Sequence, residues 1–564
     1  MSKLDWLGYG THSPVQYTNL PALSDVADIL QHTLAIIRTI QNAECPVNRL
    51  PVEVLGNVFH FTPIGYDLGD SFPLQDRPDE YVCNPYNYLA LQHVCRYWRR
   101  TLDLQPAASS TILLQKRYYR DKGPSAALVD HWLERSNTVP FTVYISVLRH
   151  FEVIAKQSGR LKRLHVYLNR DKSNAHILAE FRKLDQPAPL LESLEIDIAD
   201  DDSSNLPLLF GGDISRLRKV RLAGIMSWQV NQFRGLTHLW LEGFLYEHSE
   251  ELSVEPFQHL MDTLRDCPDL EEFHLECPHP WIPDWTEAND DRPQIVGDVL
   301  NLRKLHQLAL RSPITLSQAR SLFQYLHIPP GAVVSIVGPD IYLHQHVYQI
   351  ISEHPEHFDN LDGPLTVTVQ ADEYCAITIE GPSGRLFISP SSRIQSDSFS
   401  AFNHIQTFPF RARVQELVVI GSPDPEETVF TINWRQVLAS LPSLAKLHIL
   451  DSEGMYNSDV LRILMFVPIT ASAMPNEVSL PCPLLRDFRV SQDVKLEYDD
   501  PRSFLYDLLA CAAYRHKHGQ PLRIVKVEPY RESALETAQD NVPARMCMLG
   551  ALGSYIESVE FVQG

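Results

Sequence analysis

Two cysteines and two histidines lie close together in the stretch CPDLEEFHLECPH. Cys267, His274, Cys277 and His279 have the residue types, and roughly the spacing, of a zinc site. Such a site needs all four side chains to converge on one point. His274, however, falls on the polar side of an expected strand, and Cys267 falls at the end of an expected helix. The pattern therefore disfavours a metal site, and no metal or other cofactor is predicted.

Two further groups of residues have types that can carry out chemistry. Cys511 is followed by His516 and His518, a possible nucleophile with a possible base, but no local motif supports that pairing. The acidic run from Asp197 to Asn205 lacks the glycine and the terminal glutamate of an EF-hand loop, so a solvated loop is expected there. The chain also has no phosphate-binding glycine motif and no nucleophile elbow. We therefore predict that it is not an enzyme.

The composition indicates which partners the chain is expected to avoid and where in the cell it is expected. The chain has 564 residues and a formal net charge of -21, which argues against binding to nucleic-acid phosphates or to an anionic membrane surface. Its nine cysteines are dispersed and odd in number, which indicates reduced thiols and predicts a cytoplasmic and/or nuclear location. No apolar run is long enough to span a bilayer.

A short motif, L-x-x-[LVF]-x-[LIV], recurs through most of the chain. Its apolar residues alternate with polar ones, as in a strand that buries one face, and helix-like runs such as PFQHLMDTLRDCP separate the copies. One strand and one helix per unit are typical of leucine-rich repeats, which bury their apolar faces by stacking on their neighbours. Copies begin at Leu161, Leu191, Leu217, Leu236, Leu270, Leu305, Val414, Leu444, Leu485, Leu522 and Ile556.

The predicted fold class is therefore α/β, with an all-helical module at the N-terminus and a curved solenoid of strand-plus-helix repeats after it. Residues 333–413 contain the strand-like runs LTVTV, AITIE and RLFIS. They fit either divergent repeats or a β-rich insertion, and both alternatives stay open. The expected domains are a helical segment at 1–45, a second helical module at 46–105 and the irregular repeat domain at 106–564.

The first of these segments reads as one amphipathic helix from Pro21 to Cys45. Leu23, Val26, Leu30, Ile37 and Ile40 recur at a and d heptad spacing. The helix is short and Thr33 interrupts its apolar series. These features favour a helix docked on its own domain over a dimerisation zipper.

The second module contains two linked motifs. In NRLPVEVLGNVF, Pro51 suits the first turn of a helix, and an apolar stripe follows it. In LALQHVCRYWRRTL, a second helix carries Val94 and Trp98 on its apolar face. A polar loop rich in proline separates the two motifs.

Together these motifs resemble an F-box, whose pattern is Leu-Pro, an acidic residue, Leu and Phe, followed later by Val-Cys-Arg-x-Trp. The whole chain is similar to the F-box proteins with irregular leucine-rich repeats in mushroom-type (basidiomycete) fungi. The stretch PAASSTILL departs from that family because it lacks the Leu-Trp that often follows the second helix. The resemblance implies the substrate-recognition subunit of an SCF-type cullin–RING ubiquitin ligase.

In such a receptor the F-box binds a Skp-family adaptor, and through it a cullin, while the repeats bind a protein substrate. The alternative is a non-degradative scaffold that uses the module only to bind an adaptor or a helix. The residues expected to bind the adaptor are Leu50, Pro51, Glu53, Val54, Leu55, Val58, Val94, Arg96 and Trp98.

The substrate is expected on the polar side of the repeat strands, because in a leucine-rich array the strands line the concave face. Trp240 is expected either as an exposed contact residue or packed beneath a loop, since tryptophan is enriched where interfaces carry binding energy. The residues expected to contact the substrate are Arg163, His165, Lys219, Arg221, Trp240, Glu272 and His274.

Overall fold

The structure is a computed structural model, and its residues form two compact units, Met1–Tyr144 and Ile145–Gly564. The predicted domain boundaries at 45/46 and 105/106 stay predictions. The residues that the structure describes are 20–61, 85–104, 106, 110–114, 125–168, 174–198, 204–243, 255–276, 298–311, 322–338, 343–371, 375–390, 404–420, 433–452, 457–465, 480–492, 501–529, 547 and 550–561.

The first unit is mainly helical. A short 3-10 helix, Pro46–Arg49, links the first two α-helices. Pro51 directly precedes the second α-helix, and the Pro51 carbonyl accepts a hydrogen bond from the Leu55 amide (2.9 Å). Proline suits this position because the first helical amides have no intrahelical acceptor. The elements are α1 (Leu20–Glu44), α2 (Val52–Phe61), α3 (Pro85–Val94), α4 (Arg96–Asp103), β1 (Thr111–Leu114), α5 (Ala126–Arg135) and β2 (Phe141–Ile145).

The long helix α1 does not dock on its own unit, so that expectation is wrong. From Ser24 to Glu44 every side chain is exposed except those of Ala35 and Asn42, which are half-buried. The side chain of Leu23 lies outside the described part of the chain. The apolar stripe of α1 is therefore open to solvent along its described length.

The second unit alternates strands with helices. Its helices are α6 (Phe151–Ala155), α7 (Asn174–Phe181), α8 (Glu255–Arg265), α9 (Leu343–Glu353), α10 (Trp434–Ala439), α11 (Asn457–Met465) and α12 (Pro501–Lys517). Its strands are β3 (Leu161–Leu168), β4 (Ser193–Ile198), β5 (Ser204–Asn205), β6 (Lys219–Ala223), β7 (Ile225–Ser227), β8 (His238–Glu242), β9 (Glu272–Glu276), β10 (Leu300–Asn301), β11 (Gln307–Arg311), β12 (Leu326–His327), β13 (Val333–Gly338), β14 (Leu365–Ala371), β15 (Cys375–Glu380), β16 (Arg385–Pro390), β17 (Val414–Ile420), β18 (Lys446–Ser452), β19 (Asp487–Gln492), β20 (Ile524–Pro529) and β21 (Ser558–Phe561).

Most of these strands form one large sheet dominated by parallel pairs. From one side to the other, the described strands follow the order β3-β4-β6-β8-β9-β11-β13-β16-β15-β14-β17-β18-β19-β20-β21. Two short parallel pairs, β5–β7 and β10–β12, lie outside it. Every copy of the recurring motif lies in a strand or runs into one, as the sequence predicts.

The register of the sheet aligns the apolar positions of successive motifs. Leu164 lies opposite Leu194, which lies opposite Val220, and the series continues through Leu239 and Phe273. All of these side chains are buried. Because the copies share one spacing, their apolar residues form continuous rows on one face of the sheet. The residues that alternate with them form rows on the opposite face.

The described strands within residues 333–413, β13 to β16, all belong to the main sheet. Strand β14 is antiparallel to β15, and β15 is antiparallel to β16. The two outer strands of this meander pair in parallel with the flanking strands, β16 with β13 and β14 with β17. The segment therefore interrupts the parallel order of the sheet without breaking its hydrogen-bonded continuity.

No helix in the described portion combines the length and the apolar character that crossing a bilayer requires.

Candidate interaction surfaces

A small apolar core holds the N-terminal helices together. Leu55, Phe59 and Leu102 are buried, and Leu50 and Trp98 are among the half-buried side chains that pack against them. The rings of Phe59 and Trp98 lie 4.8 Å apart in a tilted arrangement. Leu55 is among the residues expected to bind the adaptor, but its side chain is buried and fills this core instead.

Two hydrogen bonds connect helix α4 to Asn48 and Leu50, just before Pro51. The Trp98 indole Nε1 donates to the Asn48 side-chain oxygen (2.5 Å), and the Tyr97 hydroxyl donates to the Leu50 carbonyl (2.7 Å). Both join residues about fifty positions apart in the chain. Trp98 and Leu50 thus have structural roles, in addition to any role in binding.

The other predicted adaptor contacts remain open to solvent. Val54 is 45% exposed and Val58 is 47% exposed, and their spacing of four residues puts them on one face of α2. Pro51, Glu53, Val94 and Arg96 are exposed as well. The apolar residues of this module therefore divide into an internal set and an external set.

In the second unit, the polar face of the sheet carries the predicted substrate contacts. The strand register places them in three rows across β3, β4, β6, β8 and β9. The first row is Arg163, Ser193, Lys219, His238 and Glu272; the second is His165, Glu195, Arg221, Trp240 and His274; the third is Tyr167, Asp197, Ala223, Glu242 and Glu276. The seven residues predicted from sequence therefore do share one face and lie in its first two rows.

Several of these residues are buried, contrary to expectation. His165, Arg221 and His274 have less than a tenth of their surface exposed, whereas Arg163 and Lys219 are half-buried. Side chains in register on neighbouring strands lie close enough to cover one another. Alternation identifies the face correctly, but it does not reveal how densely that face is packed.

The buried carboxylate of Glu195 forms the centre of one cluster on this face. The His165 imidazole Nδ1 donates to Glu195 Oε2 (2.6 Å), and the Tyr167 hydroxyl donates to the same oxygen (2.5 Å). Burial opposes ionisation of Glu195, but these hydrogen bonds, with the nearby Arg221 cation, hold its pKa below the usual value. Burial and the Glu195 charge raise the pKa of Tyr167, so its hydroxyl keeps its proton and remains a donor.

Arg221 joins two further carboxylates across three strands. Its guanidinium donates to Asp197 Oδ2 (3.3 Å) on β4 and to Glu242 Oε2 (2.6 Å) on β8. Burial alone would lower the pKa of Arg221, but the charges of Glu242, Asp197 and Glu195 raise it above its usual range. The sequence placed these residues on one face; it did not show that they pair.

Trp240 is half-buried and belongs to an aromatic stack. Its ring lies parallel to the His274 imidazole, with 4.1 Å between the ring centroids, and the Arg311 guanidinium lies 6.0 Å from its centroid. Arg311 on β11 was not among the predicted contacts, although the next motif copy, at Leu305, could have indicated it. On the neighbouring row, His238 Nε2 lies 3.6 Å from Glu272 Oε1.

Protonation of His274 makes the stability of the folded chain depend on pH. Burial, assisted by Arg311 and His238, lowers the pKa of His274 from 6.5 to about 4. Between these values the unfolded chain binds a proton that the folded chain does not, so stability falls as the pH falls from 6.5 towards 4. We expect a loss of roughly 1–3 kcal/mol in the free energy of unfolding.

Urea unfolding at pH 7 and pH 5 tests this expectation. The variant His274→Phe keeps a ring against Trp240 and should show a smaller loss of stability at pH 5 than the parent chain. His306→Phe, which replaces an exposed histidine, should behave like the parent. An unchanged pH dependence in His274→Phe would contradict the assignment.

The structure describes only some of the residues that the sequence offers for catalysis or metal binding. Cys277 and His279 lie outside the described residues, and in the part that is described no group of three or more His, Cys, Asp or Glu side chains is arranged to hold a metal ion. Burial raises the pKa of Cys267 to about 11 and that of Cys511 to about 12, so both thiols stay protonated at neutral pH. The acidic run beginning at Asp197 contributes Asp197 to the Arg221 cluster, and residues 199–203 of that run lie outside the described residues.

No known family model matches this chain, and a search of curated proteins found no match either.

Proposed function

We infer that this chain is the substrate receptor of an SCF-type cullin–RING ubiquitin ligase. In this proposal, residues 46–105 are an F-box that binds a Skp-family adaptor, and the main sheet belongs to an irregular leucine-rich-repeat solenoid that binds a protein substrate. The chain has no catalytic role of its own. Its place is in the cytoplasm, the nucleus or both, and it binds neither nucleic acid nor a membrane.

The adaptor proposal rests on two exposed valines of helix α2. Helix α2 supplies Leu55 and Phe59 to the internal core and leaves Val54 and Val58 exposed on another face. Two exposed valines one turn apart, beside an exposed Pro51, form the kind of surface on which a partner helix packs its own apolar residues. The F-box-like sequence around these positions gives that surface its proposed partner.

The polar rows of the sheet support the second half of the proposal. His165 and Arg221 are buried and hold neighbouring carboxylates, so we assign them to positioning. The half-buried side chains are the ones that a substrate can reach from solvent. Among the seven predicted contacts these are Arg163, Lys219, Trp240 and Glu272, and they combine both charge signs with an indole, a mixture that favours selective protein recognition.

Co-purification with a Skp-family adaptor tests the proposal. The double variant Val54→Asp/Val58→Asp puts two charges on the exposed face of α2 and should weaken adaptor binding at least thirtyfold, about 2 kcal/mol. Its control is Val230→Asp/Val299→Asp, which makes the same changes at valines that are 56% and 45% exposed in the second unit. The control should bind the adaptor like the parent chain.

Failure of the parent chain to bind any Skp-family adaptor would remove the receptor proposal. Equal loss of binding in both variants would point to general damage instead of a defined surface. Adaptor binding without recruitment of a cullin would favour the non-degradative scaffold. Leu50 is less suitable for this test because it packs against the internal core.

A further inference from the structure

Helix α1 carries a large exposed apolar surface. Seven aliphatic side chains of this helix remain between 47% and 64% exposed. They are Val26, Ile29, Leu30, Leu34, Ile36, Ile37 and Ile40. Single exposed apolar residues are ordinary, but a contiguous stripe of this size usually marks an interaction site.

The stripe has the spacing of a two-stranded seam. Val26, Leu30, Thr33, Ile37 and Ile40 follow one another at intervals of four, three, four and three residues. This is the a and d repeat along which two helices interlock their side chains. At 1.5 Å per residue the 25-residue helix is about 37 Å long, which accommodates more than three heptads.

Charge placement favours an identical partner. The e and g positions beside the seam carry uncharged residues: Ala27, Ile29, Leu34, Ile36, Gln41 and Ala43. Like charges at e and g would repel when a helix meets its own copy, and the described helix has none there. Asp25, Asp28 and Arg38 occupy outward positions. Glu44 is the one charged residue of the described helix at a seam position; it is the last residue of the helix, and its carboxylate pairs with Arg49.

The available area matches what a dimer needs. Seven half-exposed aliphatic side chains offer on the order of 100 Å² each, hence on the order of 700 Å² per helix, against about 800 Å² per partner in a standard interface. A second copy of the chain supplies the same seven residues with the same spacing. Such self-complementary contact is the basis of two-fold symmetric dimers.

We propose that the chain forms a homodimer through helix α1, with the a and d seam of one copy packed against that of a second copy. The proposal is independent of adaptor binding, which uses the exposed face of α2. Thr33 lies at a d position in the seam and limits the strength of the pairing.

Sedimentation velocity of the full chain over a range of concentrations tests the dimer. The parent should change from a species of 64.3 kDa to one of twice that mass as concentration rises into the micromolar range. Leu30→Asp/Ile37→Asp places charges at two a positions and should raise the dimer dissociation constant at least tenfold. His32→Asp/Thr39→Asp places the same charges, with the same seven-residue spacing, on the outward face and should leave it unchanged.

A gain-of-function variant separates pairing from misfolding. Thr33→Ile completes the apolar seam and should lower the dimer dissociation constant at least threefold, which a damaged helix would not do. A parent chain that stays monomeric throughout the concentration series would overturn the proposal. A dimer that persists in Leu30→Asp/Ile37→Asp, or that Thr33→Ile does not strengthen, would show that another surface is used and would also overturn it.

Discussion

Replacing Arg221 with methionine should lower the free energy of unfolding of the second unit by roughly 3–5 kcal/mol. The guanidinium is buried between strands β4 and β8, where it donates to Asp197 and Glu242. Methionine fills a similar volume but carries no charge. It would leave the two carboxylates close together on a crowded face, without the cation that offsets their repulsion and their loss of hydration.

The companion variant removes all three charges at once. In Arg221→Met/Asp197→Asn/Glu242→Gln, the two carboxylates that Arg221 binds are neutral. Glu195 keeps its hydrogen bonds from His165 and Tyr167, so most of the lost stability should return. Chemical unfolding of the parent, the single variant and the triple variant measures the difference. If the triple variant is less stable than Arg221→Met, the penalty does not come from unpaired carboxylates, and our account of the cluster fails.

The second large effect is expected at Phe59. This ring is buried in the core of the N-terminal helices, beside Leu55, Leu102 and Trp98. Phe59→Ala removes most of a large side chain from a core with few other members, which should cost roughly 3–5 kcal/mol. Because a module this small has little stability in reserve, we expect α2 and α4 to open together.

Hydrogen exchange of the peptides that cover α2 and α4 measures this loss directly. Val54→Ala is the control, since it shortens an exposed side chain on the same helix and should change stability by about 0.5 kcal/mol or less. If the α2 and α4 amides exchange as slowly in Phe59→Ala as in Val54→Ala, Phe59 does not hold these helices together. The proposed adaptor binding should fail in Phe59→Ala for lack of a folded module.

Alternation of apolar and polar residues was enough to predict the strands and their faces. Leu164 and Val166 point to one side of β3 and His165 to the other because side chains alternate along any extended chain. This rule is local, so a few residues of sequence suffice to apply it. Heptad spacing likewise predicted a helix from Pro21 to Cys45, and the structure has α1 at Leu20–Glu44.

The antiparallel meander β14–β15–β16 shows where local patterns stop being informative. Its strands have the same alternation as the parallel strands around them, so the sequence left two alternatives open. Strand direction depends on which backbone groups pair across the sheet. That choice is made between segments far apart in the chain, such as β14 with β17.

The sequence by itself determined the class of the fold, the helical start of the chain, and the face of the sheet on which the polar residues lie. Tertiary structure alone decided which side chains are buried. Leu55 fills a core, Arg221 is buried among carboxylates, and the apolar stripe of α1 remains exposed. The physical reason is that periodicity sets the direction of a side chain relative to its own backbone. Burial depends on what other parts of the chain bring against it.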